Sequence, residues 1–262
     1  MSVYRELLPP PSIRRHVACL WVHVADASVT HAVVPDACAD LISIAGGAPV
    51  VVGPATRVEH VELAAGTVIV GARFRPGSVA TALGVDASEL VDRDVALADV
   101  WGRPARELVA RVEGGTIEAQ LAAFEHALVA RLANRRHDDA LAAAAVAWLA
   151  RHPGAHVAQL AREVGISARQ LQRRVSVATG YAPKLLHRIL RFQRALVVLG
   201  DHRMTLAGAA ADAGFLDQAH LTREVRALAG ATPRELAARS LDTTSMSDFF
   251  KTVDRGAAMV AA

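Results

Sequence analysis

Short apolar runs broken by turn residues characterise the first part of the chain, from His16 to about Phe74. The runs are rich in β-branched residues and cover Val17 to Val24, His31 to Val34, Leu41 to Ala45, Val50 to Val52, Val58 to Leu63 and Thr67 to Phe74. Turns such as Gly46-Gly47-Ala48-Pro49 and Gly53-Pro54 separate them and reverse the chain between strands. The pattern predicts a small β-sheet or β-barrel.

After Pro76-Gly77 the apolar positions recur with the period of a helix. Two helices are predicted, at Pro104 to Val112 and at Ile117 to Ala133, and we interpret them as a linker or a dimerisation element. Polar residues at 133–137 then precede a strongly helical stretch from Ala140 to Arg151. A domain boundary is therefore expected at residues 133–137, just before the helix from Ala140 to Arg151.

The predicted fold class is α+β, with a small β-barrel or sheet domain followed by an all-α domain. We expect a sensor or dimerisation domain at residues 1–105, linker helices at 106–137, a helical domain at 138–240 and a C-terminal tail at 241–262. The tail has small and hydroxyl residues around Phe249-Phe250, and we interpret it as poorly ordered or as a docking segment. A length of 262 residues fits two domains of ordinary size.

A helix-turn-helix pattern occurs twice in the helical domain, at an offset of about 50 residues. The apolar stripes of the first helices are Val157, Leu160, Ala161 and Val164 in one copy and Leu206, Ala209, Ala210 and Ala213 in the other. Gly165 and Gly214 end these helices, and Ser167 and Asp217 begin the next ones as N-caps. The second turn is longer by one residue, Leu216.

The second helix of each copy has a polar face that suits a DNA major groove about 12 Å wide. The polar residues are Arg169, Gln172, Arg173 and Arg174 in the first copy and Gln218, His220, Thr222 and Arg223 in the second. Arg can bond to guanine and Gln to adenine. Between the copies, Lys184 to Leu199 predicts an amphipathic helix of roughly 24 Å. An ordinary helical hairpin with a solvated Arg/Gln face is the alternative interpretation.

The basic charge of the chain is concentrated in the same segment. The formal net charge is +3, yet residues 138–240 carry 14 Lys and Arg against 8 Asp and Glu, and Lys184 is the single lysine among them. Arginine suits phosphates and guanine edges better than lysine does. The sequence predicts neither an export signal nor an apolar span of about 20 residues, so we expect a cytoplasmic protein without a membrane partner.

These residues resemble the AraC/XylS-type transcription regulators, whose DNA-binding module consists of two helix-turn-helix units joined by one long helix. The resemblance spans about Ala140 to Arg239 and rests on Leu160-Ala161, Gly165-Ile166-Ser167, Leu171-Gln172-Arg173, Gly180-Tyr181-Ala182-Pro183, Gly214-Phe215, Leu221-Thr222-Arg223 and Gly230 to Leu236. It implies double-stranded DNA as a partner, with RNA polymerase as a further partner of an activator. The base-facing contacts that it implies are Arg169, Gln172, Arg173, Gln218, His220 and Arg223. One departure is that the family usually has Phe where Val175 and Val225 stand.

The N-terminal domain more loosely resembles the sensor domains of some family members, through Val34 to Leu41 and Gly71 to Gly77. Such domains are often cupin-like β-barrels that bind an effector or dimerise, which implies a small-molecule effector and a homodimer as candidate partners. The candidate residues for an effector pocket are Asp36, Asp40, Arg73 and Arg75, at strand ends or turns. Buried Arg–Asp pairs that hold the domain together are the alternative.

Metal and cysteine chemistry is the main competitor to this interpretation. The histidines of the strand region, His16, His23, His31 and His60, lack a His-x-His pair followed by Glu, so we expect structural or solvent-facing roles and no metal or cofactor. The two cysteines, Cys19 and Cys38, build neither a disulfide framework nor a four-cysteine zinc site. We predict a sequence-specific DNA-binding transcription regulator that reads a bipartite site and is not an enzyme. A cupin-like enzyme with an accessory DNA-binding module is the alternative.

Overall fold

A computed structural model of the chain describes residues 3–134, 138–200 and 203–242. The described strands all precede residue 97, and only helices and their connections follow, which confirms the predicted α+β class. Residues 135–137 at the predicted domain boundary lie outside the described residues. The same is true of residues 243–262, and with them of nearly all of the predicted tail and its Phe249-Phe250 pair.

Two antiparallel sheets form the N-terminal part of the described chain. The strands are β1 (Val3–Leu7), β2 (Val17–Val24), β3 (Val29–Val33), β4 (Ala39–Ile44), β5 (Val50–Val52), β6 (Glu59–Leu63), β7 (Val68–Phe74) and β8 (Asp94–Ala96). The larger sheet has the order β1-β2-β7-β4-β5-β8, and β3 pairs with β6 in the smaller one. Within the described residues β1 and β8 do not pair, so the larger sheet is open rather than closed into a barrel.

The central strands β2 and β7 are buried on both faces, which explains why their sequences are apolar almost without interruption. Strand β2 covers the predicted residues Val17 to Val24, and β5 covers the predicted Val50 to Val52. The sequence pattern predicts neither β1 nor β8. Both are short strands at the edges of the sheet, where pairing with β2 and β5 stabilises them more than their own composition does.

Four helices and a 3-10 turn at Ala87–Glu89 pack with the larger sheet. The helices are α1 (Val79–Leu83), α2 (Leu97–Trp101), α3 (Arg103–Val112) and α4 (Ile117–Ala133). Helix α4 places Leu121, Phe124 and Leu128 in the same core as Leu41 and Phe74 of the sheet. The two helices that the sequence predicts as a linker therefore complete the core of the N-terminal domain.

Seven helices form the rest of the described chain. They are α5 (Ala140–Arg151), α6 (Val157–Glu163), α7 (Ala168–Thr179), α8 (Pro183–Leu199), α9 (Leu206–Asp212), α10 (Gln218–Ala229) and α11 (Pro233–Asp242). Helices α6 and α7 form one helix-turn-helix unit, and α9 and α10 form the other. A single apolar core joins both units to α8 through Leu171, Phe192 and Leu221. Val175 and Val225, where the resembled family has Phe, are fully buried in that core.

Candidate nucleic-acid interface

The two helix-turn-helix units have the same glycine and N-cap features at the turn before their second helix. We call this second helix, α7 in the first unit and α10 in the second, the reading helix. Gly165 and Gly214 follow the first helix with φ of 66° and 74°, a left-handed conformation that glycine adopts at little cost. Ser167 forms a capping box with Gln170 at the start of α7. At the start of α10, an Asp217 carboxylate oxygen accepts a hydrogen bond of 2.6 Å from the backbone N–H of His220. These caps fix the N-terminal end of each reading helix.

The first reading helix presents its predicted polar face to solvent. Arg169, Gln172 and Arg173 are all exposed on α7, and they line one shallow surface depression together with Ser167 and its neighbours. Arg174 differs, because Nη1 of its guanidinium lies 2.7 Å from a carboxylate oxygen of Asp139 at the start of α5. The structure thus leaves three long hydrogen-bonding side chains available on one face of α7.

The second reading helix has two exposed candidates and one that is packed. Gln218 and Arg223 are exposed on α10. The His220 ring is half-buried and meets the Phe215 ring edge-on, with 5.3 Å between the ring centroids. Its Nδ1 accepts a hydrogen bond of 3.3 Å from the backbone N–H of Leu216. This bond assigns the proton of a neutral ring to Nε2, so His220 both holds the turn and offers one N–H donor.

The arginines of α8 hold the second unit against this long helix. Arg188 forms an ion pair with Glu224 of α10. The Arg194 Nε donates hydrogen bonds to the backbone carbonyl and the carboxylate of Asp212 at the end of α9, at 2.8 and 3.0 Å. Arg191 lies over the Phe215 ring, with its guanidinium carbon 5.1 Å from the ring centroid. These side chains serve the packing of α8 on the second unit.

The N-terminal domain contacts both helix-turn-helix units through the loop between β5 and β6, which we call the β5–β6 loop (residues 53–58). The Tyr181 hydroxyl, at the end of the first unit, donates a 2.7 Å hydrogen bond to the carbonyl of Ala55. Val58 packs into the helical core and lies beside Gly230, at the end of the second unit. Thr56 donates two hydrogen bonds of 2.6 Å to the Asp92 carboxylate, which attaches the loop to its own domain.

A buried glutamine adds a third contact between the domains. Gln193 of α8 is 0% exposed, and its Nε2 donates a 2.5 Å hydrogen bond to the carbonyl of Pro35 in the loop between β3 and β4. The sequence pattern does not predict the interdomain contacts of Gln193 and Tyr181. The signal for Gln193 is a polar residue on the apolar stripe of α8, four residues after Ile189, because such a position needs a hydrogen-bonding partner.

Three of the four candidate effector residues form one buried cluster. The Arg73 side chain is 2% exposed, and its Nε lies 3.3 Å from an Asp40 oxygen and 3.9 Å from an Asp36 oxygen. Asp40 also accepts a 2.8 Å hydrogen bond from the Trp21 indole. Burial raises the pKa of Asp36, and the nearby Arg73 guanidinium offsets part of that rise. Arg75 lies apart from these pairs and donates a 2.9 Å hydrogen bond from Nε to the Arg14 carbonyl.

The space beside this cluster is filled by an aromatic ring. A Cβ added at Gly71 would lie 2.3 Å from the Trp21 ring, so only glycine lets the indole lie against β7. Cys19, Leu63 and Ile69 pack around Trp21. The arrangement matches the ion-pair alternative for Asp36, Asp40 and Arg73.

The histidines lie at separate places. His16 is buried, and its Nε2 is 3.6 Å from an Asp138 oxygen. The rings of His23 and His31 are 5.9 Å apart between centroids, and His60 is exposed on β6. In the described ranges, no group of three or more His, Cys, Asp or Glu residues is placed to hold a metal ion. Nor does any helix in the same part of the chain have the length and apolar composition needed to cross a membrane.

Two family models match the chain in the two domains that the structure contains. Residues 5–96 match a domain of unknown function, DUF6597, and residues 160–239 match a helix-turn-helix domain. No curated protein sequence matches the chain.

Solved structures similar to the chain include ToxT from Vibrio cholerae O395, with 12% identity, a TM-score of 0.46 and coverage of 83% of this chain and 96% of ToxT. A second crystal form of Vibrio cholerae ToxT has 10% identity, a TM-score of 0.44 and coverage of 89% and 97%. The unsaturated fatty acid-bound ToxT of Vibrio cholerae strain SCE256 has 12% identity, a TM-score of 0.44 and coverage of 83% and 94%. The matching family model spans the two helix-turn-helix units that the structure contains, and residues 160–239 are therefore a helix-turn-helix domain.

Proposed function

We propose that the chain is a sequence-specific transcription regulator that reads two adjacent major-groove segments of DNA. The observation that carries this proposal is the pair of reading helices, α7 and α10, with exposed Arg173 and Arg223 at equivalent positions. Arg pairs with guanine O6 and N7, and Gln172 and Gln218 supply the geometry for adenine. His220 is proposed to contact a base with its Nε2 donor, and Arg169 with its exposed guanidinium.

The spacing of the two units favours a bipartite site. Helix α8 is 17 residues long, which corresponds to about 25 Å at about 1.5 Å per residue. With the turns at each end, the two reading helices suit major-groove segments one helical repeat of DNA apart, about 34 Å. The recognition blocks of the DNA site are therefore expected about 10 base pairs apart, on one face of the duplex.

The N-terminal domain is proposed to regulate this reading. Its contacts with Tyr181, Gln193 and Gly230 touch the first unit, the long helix and the second unit in turn. Such regulation requires a second arrangement, in which these contacts are changed and the DNA affinity differs. An effector that binds one arrangement more tightly than the other changes the DNA affinity by its coupling free energy, and such couplings are about 1–3 kcal/mol.

A cavity of about 900 Å³ between α1, α3 and α4 is a second candidate place for an effector, in addition to the cluster of Asp36, Asp40 and Arg73. Trp101, Arg111 and Arg131 line it, and so does Val177 of the first reading helix. A compound that raises the melting temperature of the full chain by binding here is expected to shift DNA affinity as well. Arg131→Gln tests the cavity and Arg73→Gln tests the cluster, each in the same thermal-shift screen.

The test of DNA reading is selection of bound fragments from random duplex DNA by the full chain, followed by footprinting of the selected site. Two protected blocks about 10 base pairs apart are expected. Arg173→Ala is expected to weaken protection of one block and Arg223→Ala that of the other. Arg106→Ala, an exposed change on α3, is the matched control and leaves both blocks intact. A single block, or blocks half a turn out of phase, contradicts the proposal.

A further inference from the structure

The two copies of the helix-turn-helix differ at the turn by one inserted residue. In the first copy Ile166 follows Gly165 directly, packs against the helical core and is followed by the N-cap Ser167. In the second copy Phe215 takes the core position and is 6% exposed. Leu216 then comes between Phe215 and its N-cap and has no counterpart in the first copy.

The inserted Leu216 side chain is 90% exposed. An apolar residue just before an N-cap often packs on the fourth residue of the helix, here Leu221. Leu221 is fully buried, yet Leu216 stays in solvent. The chain therefore has an apolar partner for this side chain close by and does not use it.

The backbone at Leu216 is held in place although the side chain is free of the core. Its N–H donates to the His220 Nδ1, and the His220 ring lies edge-on against Phe215. The Arg191 guanidinium lies over the Phe215 ring. The next residue after Leu216 is Asp217, whose carboxylate caps the N-terminus of α10. The turn thus presents one leucine side chain outward from a fixed position.

That position is the N-terminal end of the second reading helix. Reading helices of helix-turn-helix proteins contact base edges with their N-terminal residues. Leu216 lies two residues before Gln218, which is exposed on the same end of α10. The apolar group that the major groove offers on its base edges is the C5-methyl of thymine.

We infer that Leu216 reads thymine in the second block of the DNA site through apolar contact with the C5-methyl group. This inference rests on the proposed function, because it assumes that α10 enters a major groove. It adds an apolar specificity contact to the polar ones on α10, and it explains why an extra leucine is kept in solvent at this turn.

The test replaces each thymine of the selected second block with uracil, one at a time, which removes only the methyl group. The wild-type chain is expected to lose about fourfold in affinity at one position, the factor for burying about one methyl group. Leu216→Ala is expected to bind the thymine site more weakly and to lose the response to uracil at that position. Leu8→Ala, which changes a 65% exposed leucine in the N-terminal domain, is the matched control and keeps the wild-type response.

The outcomes separate this inference from the proposed function. If the wild-type chain selects no DNA sequence, the proposed function fails and the inference fails with it. If a site is selected but the wild-type chain and Leu216→Ala respond equally to every uracil substitution, the inference alone is overturned. Because Leu216 is exposed, equal melting temperatures of the variant and the wild-type chain are expected to exclude a folding defect.

Discussion

The contact between the first unit and the N-terminal domain can be tested at Gly180, where α7 ends. Gly180 has φ of 83°, and an added Cβ would lie 2.7 Å from Cγ2 of Val91 and 3.0 Å from the carbonyl of Ala87. Gly165 provides a matched control in the same unit, because its φ is 66° and an added Cβ would meet nothing within 4 Å. Alanine at either position must adopt the same unfavourable positive φ. Only at position 180 does the added Cβ also meet atoms of the other domain.

The expected magnitudes follow from these distances. A left-handed alanine costs about 1–2 kcal/mol, so Gly165→Ala should lower the free energy of unfolding by that amount. Gly180→Ala should cost about 1–3 kcal/mol more, the range for overpacking. In a chain of this size about 1 kcal/mol corresponds to about 2–4 °C in melting temperature. The variants should therefore differ by several degrees.

Urea denaturation of the full chain measures the stabilities, and hydrogen exchange measures the local effect. Gly180→Ala should speed exchange in residues 53–58 and 87–93, while Gly165→Ala should not. The double variant Gly180→Ala/Val91→Ala should recover part of the additional loss, because Val91 supplies the nearest atom. Equal destabilisation by the two glycine variants, with no coupling to Val91, would refute the argument that the first unit is docked through Gly180.

Three further predictions concern charged residues. Arg173→Ala and Arg223→Ala should each weaken binding to the selected site by about 1–3 kcal/mol and relax base preference in one block, whereas equal losses on random DNA in the same titrations would contradict base reading. Arg188→Ala should leave the salt dependence of DNA binding unchanged, since its guanidinium is paired with the second reading helix; a slope lower by about one charge in salt titrations would assign it to a phosphate. The melting temperature of Asp36→Asn minus that of the wild type should increase as the pH rises from about 4 to 8. Burial raises the pKa of Asp36, so the wild type loses stability as that group ionises, whereas the asparagine does not titrate. A difference that is constant with pH in thermal unfolding would show that Arg73 keeps the carboxylate ionised throughout.

Local periodicity predicts much of the fold, because one face of each long element is buried. Helices α4 and α5 begin and end at the predicted residues, and the exposed faces of α7 and α10 follow from the spacing of Leu171 and Leu221. Periodicity does not predict the edge strands β1 and β8, because their stability comes from pairing with strands elsewhere in the chain.

Periodicity does not predict contacts between residues that are far apart in the sequence. Tyr181 bonds to Ala55 across 126 residues, and Gln193 bonds to Pro35 across 158. A helical stripe shows that a position is buried, but it does not show which domain buries it. The same limit applies to His220: the sequence places it on the polar face of α10, whereas the ring packs on Phe215 and accepts a backbone hydrogen bond.

The β5–β6 loop, which touches Tyr181 on one side and Gly230 on the other, bears on the entropy of binding two blocks at once. With the two units already fixed by α8 and by this loop, little orientational freedom is left to lose when the second block binds. Binding of the second unit is then effectively intramolecular, with a high effective concentration of its block. A DNA with one block alone should therefore be bound far more weakly than half of the binding free energy would suggest, and loosening the loop should reduce that advantage while the contacts of each reading helix stay the same.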